Sequence, residues 1–409
     1  MNALNNTATP GWKASEFEAE LNNILSYWSS TVFDEANGRF YPKVDHNDTP
    51  DRSAVAGAVM YARILWAFSA GYRHTGTPRY LKRADVAFQY IQQHFMDAEY
   101  GGIYWSVHPD GHPADTRKQM YALAFAIYGL AEYYKTTNNQ TALTLAKGLY
   151  QAIEQHSWDS RYGGYVEALA RDWSPTPHLS LSTKDDNEKK TLNTHLHILE
   201  AYTNLYGIWP NDTLKQRIAT IITLFDKHFV NRHGHLTLFF DEQWQARSSL
   251  RSFGHEIEAS WLLCKAARAV HGGQLPDTVR TLSLRLADAS AKWIDQSGAL
   301  LYEFDAATNT LVDEKHWWVQ AEAVVGFYRA GLLSTYNDYL STASRVWQYI
   351  KEHLIDHQHG EWYWGRDAAN QIMTHEDKAG FWKCPYHNSR CCLQLIQLLN
   401  PSSMKTENK

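Results

Sequence analysis

The sequence predicts an all-α protein, a single closed barrel of six outer and six inner helices, the (α/α)6 architecture. Two observations predict it. A short turn motif recurs six times at near-constant spacing. Each copy also separates an amphipathic helical stretch from one that is apolar nearly all round.

The motif is an acidic residue, three spacers and a glycine, followed by aromatics. It occurs as Asp34 to Gly38, Asp97 to Gly101, Asp159 to Gly163 and Asp356 to Gly360, with shorter copies at Asn231 to Gly234 and Asp295 to Gly298. The six glycines lie 63, 62, 71, 64 and 62 residues apart. Ahead of the motif, Leu81, Ala84, Phe88, Ile91 and Phe95 recur at three- and four-residue steps, as do Leu340, Ala343, Trp347, Ile350 and Leu354. Such a stripe buries one face and leaves the other in water. Behind the motif, residues 121–134 read YALAFAIYGLAEYY, with one charge in fourteen positions. A helix without a polar face belongs inside. Comparable segments begin near Val55, Asn193, His255, Trp317 and Tyr386. An open solenoid is the competing arrangement. Six buried inner helices and the lack of a polar capping unit favour closure. Residues 15–400 then form one domain, with flexible ends at 1–14 and 401–409.

The glycine-to-inner-helix connections are about equal in four units. They lengthen in the third, through RDWSPTPHLSLSTKDDNEKK, and in the sixth, through RDAANQIMTHEDKAGFWKCP. Long loops on an economical scaffold are where sites are built.

Composition narrows the function. Lys plus Arg is 39 against 44 for Asp plus Glu, a formal charge of −5 without a basic cluster, which argues against nucleic acid or an anionic membrane as partner. No apolar run is long enough to span a bilayer, and the N-terminus does not read as a secretory signal. Four cysteines without C-x-x-C spacing read as reduced thiols of a cytoplasmic protein. Sixteen tryptophans and twenty histidines suit sugar handling, because indole faces stack on sugar rings.

Parallel inner helices gather their N-terminal ends at one mouth. Those ends carry Asn193 and His197, His255 and Glu258, Trp317 and Trp318, and His387 and Asn388, with Arg63 and Tyr121 on the first two inner helices. The long loops add Asp185, Asp186 and Trp382. Each is unremarkable alone: a lone histidine at a helix start is usually a cap or a satisfied core residue. Three from three helices, ringed by aromatics, make a pocket. His195 and His197 face away from each other, being two apart on a helix. Glu258, one turn beyond His255, is placed to orient that imidazole or bind a hydroxyl. No second carboxylate–histidine set appears on the other inner helices, so metal-free chemistry is favoured. No nucleotide-binding glycine motif is present.

Imidazoles take and return protons near neutrality. A sugar offers one such proton, on the carbon next to the aldehyde of its opened ring. Removal gives an enediolate that His197 or Arg63 would stabilise, and return to the opposite face inverts carbon 2. His255 and His387, expected on nearly opposite helices, supply an acid/base on each side. One starts neutral and the other protonated, giving a bell-shaped pH–rate profile. A glycoside hydrolase would instead need paired carboxylates, for which Asp185, Glu258 and Glu322 are the candidates. A non-catalytic sugar-binding protein would need only the aromatic pocket.

The segments YARILWAFS (61–69), EYGGIYW (99–105), LNTHLHILEAY (192–202), FGHEIEASW (253–261), HWWVQAEAVVGF (316–327) and FWKCPYHNSR (381–390) resemble the N-acylglucosamine 2-epimerase superfamily, most closely its cellobiose 2-epimerase branch. The resemblance implies the (α/α)6 barrel and reversible epimerisation at carbon 2 of a reducing-end glucose, on cellobiose, lactose or β-1,4-mannobiose, without nucleotide or metal. It implies catalytic roles for His255, His387 and His197. It implies substrate contacts at Arg63, Tyr121, Asp185, Asn193, Glu258, Trp318 and Trp382, with Trp317 beside them. Trp382 matches the stacking platform for the second sugar and Trp318 the reducing-end aromatic. Mannose-specific relatives carry a longer loop after the fourth outer helix. Here Asp241 to Gly254 is short, which leaves room for a disaccharide. A monosaccharide 2-epimerase or aldose–ketose isomerase, acting on mannose or an acylated amino sugar, shares the enediol and is the alternative. The expected assembly is a monomer or weak dimer, with no cofactor.

Overall fold

A computed structural model describes residues 11–334 and 338–400. Twelve α-helices run through them: α1 Ala14–Ser30, α2 Ala58–Thr75, α3 Pro78–Tyr90, α4 Met120–Thr137, α5 Gln140–His156, α6 Leu192–Tyr206, α7 Asp212–Leu224, α8 Phe253–Val270, α9 Asp277–Ala291, α10 Trp317–Leu333, α11 Tyr339–Tyr349 and α12 His387–Leu399. Even-numbered helices form an inner ring and odd-numbered helices an outer one. Each inner helix packs on the next, and α12 packs back on α2 and α1, so the barrel closes.

Burial follows the sequence patterns. In α4 every residue from Met120 to Tyr133 is buried, whereas α3 buries only Tyr80, Arg83, Ala84, Ala87, Phe88 and Tyr90. Three outer helices end in π-helical turns, Ile91–Phe95, Phe225–Phe229 and Ile350–Leu354, each with both its terminal residues buried. The four cysteines are free and buried. Trp12, in the stretch expected to be flexible, instead stacks on Tyr328 of α10 at 5.5 Å. Residues 1–10 and 401–409 lie outside the described residues.

The recurring acid is a turn device. Asp97 Oδ1 accepts the backbone N–H groups of Glu99 and Tyr100, and Gly101 follows at φ +74°, a conformation that favours glycine. Asp159 and Asp356 repeat the arrangement. A lysine from the same connection then closes the loop. Lys118 Nζ lies 2.7 Å from Asp97, Lys190 2.7 Å from Asp159, and Lys378 2.9 Å from Asp356.

The connections also contain strands of two or three residues, which the sequence does not announce because such ladders are too short to show alternation. They pair between neighbouring units: Lys118–Gln119 with Ala168–Leu169, Lys190–Thr191 with Phe239–Phe240, Leu250–Ser252 with Glu303–Asp305, and Lys315–His316 with Gly365–Arg366. A bridge between Val44 and Ala379 joins the first and last units. The result is a hydrogen-bonded collar around the mouth where the inner helices begin.

Inner-helix contacts leave little room. A Cβ on Gly129 of α4 would lie 2.5 Å from the Ala62 carbonyl oxygen of α2, whereas one on exposed Gly148 of α5 meets nothing within 4 Å. Gly129→Ala is therefore expected to cost roughly 1–3 kcal/mol by overpacking. Gly148→Ala is expected to be neutral or stabilising by up to about 1 kcal/mol. Urea denaturation midpoints of the two variants check both values.

Candidate active site

The collar encloses a cavity of about 510 Å³. All of Arg63, Tyr121, Asp185, Asn193, His197, His255, Glu258, Trp317, Trp318, Trp382 and His387 stand in its wall, together with Asp186. The two long connections thus meet the inner-helix ends.

His255 and His387 do not lie on opposite helices. They sit on α8 and α12, the two neighbours of α10, and the half-buried Trp318 of α10 stands between them. Ring centroids are 4.8 Å from Trp318 to His255 and 5.7 Å from Trp318 to His387. Each imidazole has its Nδ1 engaged. His387 Nδ1 is 2.7 Å from Glu322 Oε1, and His255 Nδ1 is 2.7 Å from Ser252 Oγ. Ser252, not Glu258, orients His255. His197, one turn deeper on α6, has Nδ1 3.1 Å from Glu200 Oε2. Its Nδ1 hydrogen is committed there, so the permanent donor in this wall is Arg63. The Arg63 guanidinium donates to the Tyr121 hydroxyl at 2.7 Å and to the Trp382 carbonyl at 3.3 Å, while its Nε is buried without a partner. His195 plays no part: its Nδ1 meets the Thr191 carbonyl at 2.7 Å and its Nε2 accepts the Tyr165 N–H at 2.9 Å.

Beneath the cavity lies a charge cluster with no counterpart in the sequence reading. The Arg390 guanidinium contacts Glu200, reaches Glu258 at 2.5 Å and Glu322 at 2.6 Å, and also contacts the Tyr386 hydroxyl. All five side chains are buried. Their signal was helical spacing: Glu200 lies three beyond His197, and Arg390 lies three beyond His387 and four beyond Tyr386.

The cluster sets the protonation pattern. Burial and the neighbouring Glu322 charge raise Glu258, whose Oε2 is left without a partner at the cavity wall. Burial raises Glu200, but Arg390 and His197 outweigh it and hold the carboxyl well below its usual range. Burial, with His197 nearby, lowers His255 to about 3. Burial lowers His387 well below the usual imidazole range, and the Arg63 and Arg390 charges add to that. Burial thus disfavours the charged form of both imidazoles. At the outer wall, Glu303 is raised to about 7 by burial and by Asp185, which burial raises too.

The structure also assembles a carboxylate–histidine set that the sequence did not suggest. Donor atoms of Glu258, Glu322 and His387 lie within 4.8 Å of one another, as do those of Asp48, Asp356 and His359 at the rim. A side-chain cation already sits in each set. Arg390 bridges Glu258 and Glu322, and Lys378 bridges Asp48 at 3.0 Å and Asp356 at 2.9 Å. Of the three carboxylates a hydrolase would call on, Asp185 and Glu258 line the cavity. Glu322 lies behind the cavity wall, bound to Arg390 and His387.

The N-acylglucosamine 2-epimerase (GlcNAc 2-epimerase) family model matches residues 38–391. The chain belongs to this family. It is a carbohydrate 2-epimerase, an isomerase. A cellobiose 2-epimerase of Bacteroides fragilis is 43% identical over 93% of this chain and 98% of its own length. The structure of a cellobiose 2-epimerase from Bacillus thermoamylovorans superposes with a TM-score of 0.89 at 38% identity, covering 94% of this chain and 99% of that one. A D-mannose isomerase structure, at 20% identity and TM-score 0.84 over 96% of this chain and 100% of that one, shares the fold. Among the described residues no helix of this epimerase is long and apolar enough to cross a membrane.

Burial lowers both imidazoles, so they stay uncharged as pH falls through the ordinary histidine value near 6.5. In the free protein, ring resonances of His255 and His387 are expected not to titrate between pH 8 and about 5.5. Proton-detected histidine NMR titration checks this.

Proposed function

We propose that this epimerase interconverts the two carbon-2 epimers of the reducing-end sugar of β-1,4-disaccharides, cellobiose to glucosyl-mannose among them, with lactose and mannobiose as further substrates. One observation carries the reading. Two imidazoles flank Trp318 in one cavity, each oriented through Nδ1 so that Nε2 is left for a bound sugar.

The chemistry follows from that arrangement. With the reducing sugar open and lying on Trp318, one imidazole takes the hydrogen of carbon 2 as a proton. The bonding pair moves into the carbon 1–carbon 2 bond, and the carbonyl electrons settle on oxygen as a cis-enediolate. Arg63 faces that oxygen as a fixed charge and has a buried donor to spare. His197, held by Glu200, lies beside it. The other imidazole, protonated in the sugar complex, returns a proton to the opposite face of carbon 2. Exchange with solvent then restores both rings. Glu258, raised by burial, is a proton-bearing neighbour within 4.8 Å of His387.

The second sugar is assigned to the outer part of the cavity. Trp382 packs against Trp105, Tyr121 and Phe381 at 5.8, 6.1 and 5.2 Å, which stiffens it as a stacking platform. Asp185 and Asn193, whose Oδ1 is buried without a partner, are assigned to sugar hydroxyls. Trp317 packs on Trp364 at 4.4 Å and buttresses the wall. The reaction calls on a sugar alone, with no metal, nucleotide, nucleic acid or membrane. The reading places the protein in the cytoplasm as a monomer or weak dimer.

Incubation with cellobiose in heavy water tests the proposal. The product is expected to be the carbon-2 epimer carrying deuterium at carbon 2. His255→Asn and His387→Asn are each expected to abolish it while keeping the helical circular dichroism. No epimer from cellobiose or lactose, with conversion of mannose instead, would transfer the reading to the monosaccharide enzymes. Trp382→Ala is expected to weaken disaccharide binding by roughly 1–3 kcal/mol and monosaccharide binding by less. Titration of each inactive-histidine variant with both sugars measures the difference.

A further inference from the structure

Ser252 is the N-cap of α8, yet it does not cap. Its hydroxyl accepts no helix N–H. At the equivalent place on α6, Thr191 Oγ1 accepts the Thr194 N–H at 3.1 Å in the ordinary way, while its own hydrogen goes to Glu167 at 2.7 Å. Ser252 forgoes that bond and turns its hydroxyl to His255 Nδ1, the one partner it has among the described residues.

The direction of that bond follows from satisfaction. Ser252 is fully buried. Were the imidazole to donate from Nδ1, the serine hydrogen would be left in the interior without an acceptor, the costly state for a buried donor. With the serine donating, both groups are satisfied and the ring hydrogen sits on Nε2. His387 is the opposite case. Burial raises Glu322 and Arg390 opposes that, but both its oxygens accept hydrogen bonds, Oε1 from Arg390 and Oε2 from Trp261, so it meets His387 Nδ1 as an acceptor that fixes the hydrogen there and leaves Nε2 bare.

Resting on the acid/base reading above, we propose that Ser252 is a positioning residue that holds neutral His255 as the Nε2–H tautomer, so that the cavity presents a proton-accepting nitrogen at His387 and a proton-bearing one at His255. The titratable groups acting on His255 are His197 on α6 and Glu322 on α10, and Glu258 lies one turn along α8 in the same cavity wall. None is hydrogen-bonded to its ring, and Trp318 covers one side of it. Ser252 alone therefore sets its tautomer.

The test uses the intact protein labelled with ¹⁵N-histidine and read by long-range ¹H–¹⁵N ring correlation near pH 7.5, with His255 assigned by its loss in His255→Asn. His255 is expected to show a bare Nδ1 and a protonated Nε2. Ser252→Ala is expected to convert that pattern to a mixture and to lower kcat on cellobiose about tenfold, with KM within about twofold. Ser252→Thr, which keeps the hydroxyl, is expected to restore both. A protonated Nδ1 at His255 in the unsubstituted protein would overturn the proposal, and so would Ser252→Ala with unchanged ring pattern and kcat. Neither result would touch the epimerase reading so long as His255→Asn is inactive. Full turnover by His255→Asn would instead remove that reading, and this proposal with it.

Discussion

The site depends on one guanidinium. Arg390 sits at the centre of the barrel with three glutamates drawn from α6, α8 and α10 around it. Without that cation, three buried carboxylates would repel one another and take up protons. With it, Glu200 is held ionised beside His197, and Glu322, raised by burial, accepts from Arg390 beside His387. Breaking a buried pair of this kind by removing one partner typically costs 3–5 kcal/mol, so the cluster couples the catalytic geometry to the packing of the inner ring. It also fills with a side chain the place where those carboxylates would otherwise gather a metal ion.

A second constraint is the collar. Inner helices alone would leave the loop carrying Trp382 free to wander. Glu361 prevents this. It is fully buried, holds a left-handed backbone at φ +65°, and accepts hydrogen bonds from Trp28 at 2.5 Å, Lys383 at 2.8 Å and Asn388 at 2.6 Å. One carboxylate thereby ties the first outer helix to the segment that runs from Trp382 to Asn388. A non-glycine residue holds such a backbone only where its surroundings over-determine it, and four surrounding donors, the Trp362 N–H among them, do so here.

Much of this was legible beforehand for a physical reason. The repeat period, the two kinds of helix and the two long connections are one-dimensional patterns, and closure of the ring converts them into a location. Eleven residues from six helices and two loops meet in one cavity because parallel inner helices must bring their N-terminal ends together. What escaped depends on rotation and reach. Ring order puts α8 and α12 either side of α10, so the expectation that His255 and His387 stand on opposite helices fails on the order itself; what order does not report is that both rings turn toward Trp318. Glu258 shares a face with His255, but Arg390 captures its carboxylate from α12. Ser252 looks like an ordinary cap until its hydroxyl is seen to point at an imidazole. Burial lowers both histidines, aided at His255 by His197 and at His387 by Arg63 and Arg390, which spacing cannot report.

Steady-state turnover of cellobiose by Arg390→Lys tests the dependence on that guanidinium most directly. Lysine keeps the charge but not the fork that holds three carboxylates at once. The account predicts a protein with native helical circular dichroism and a kcat lower by about tenfold or more. A variant that folds and turns over at the unsubstituted rate would contradict it.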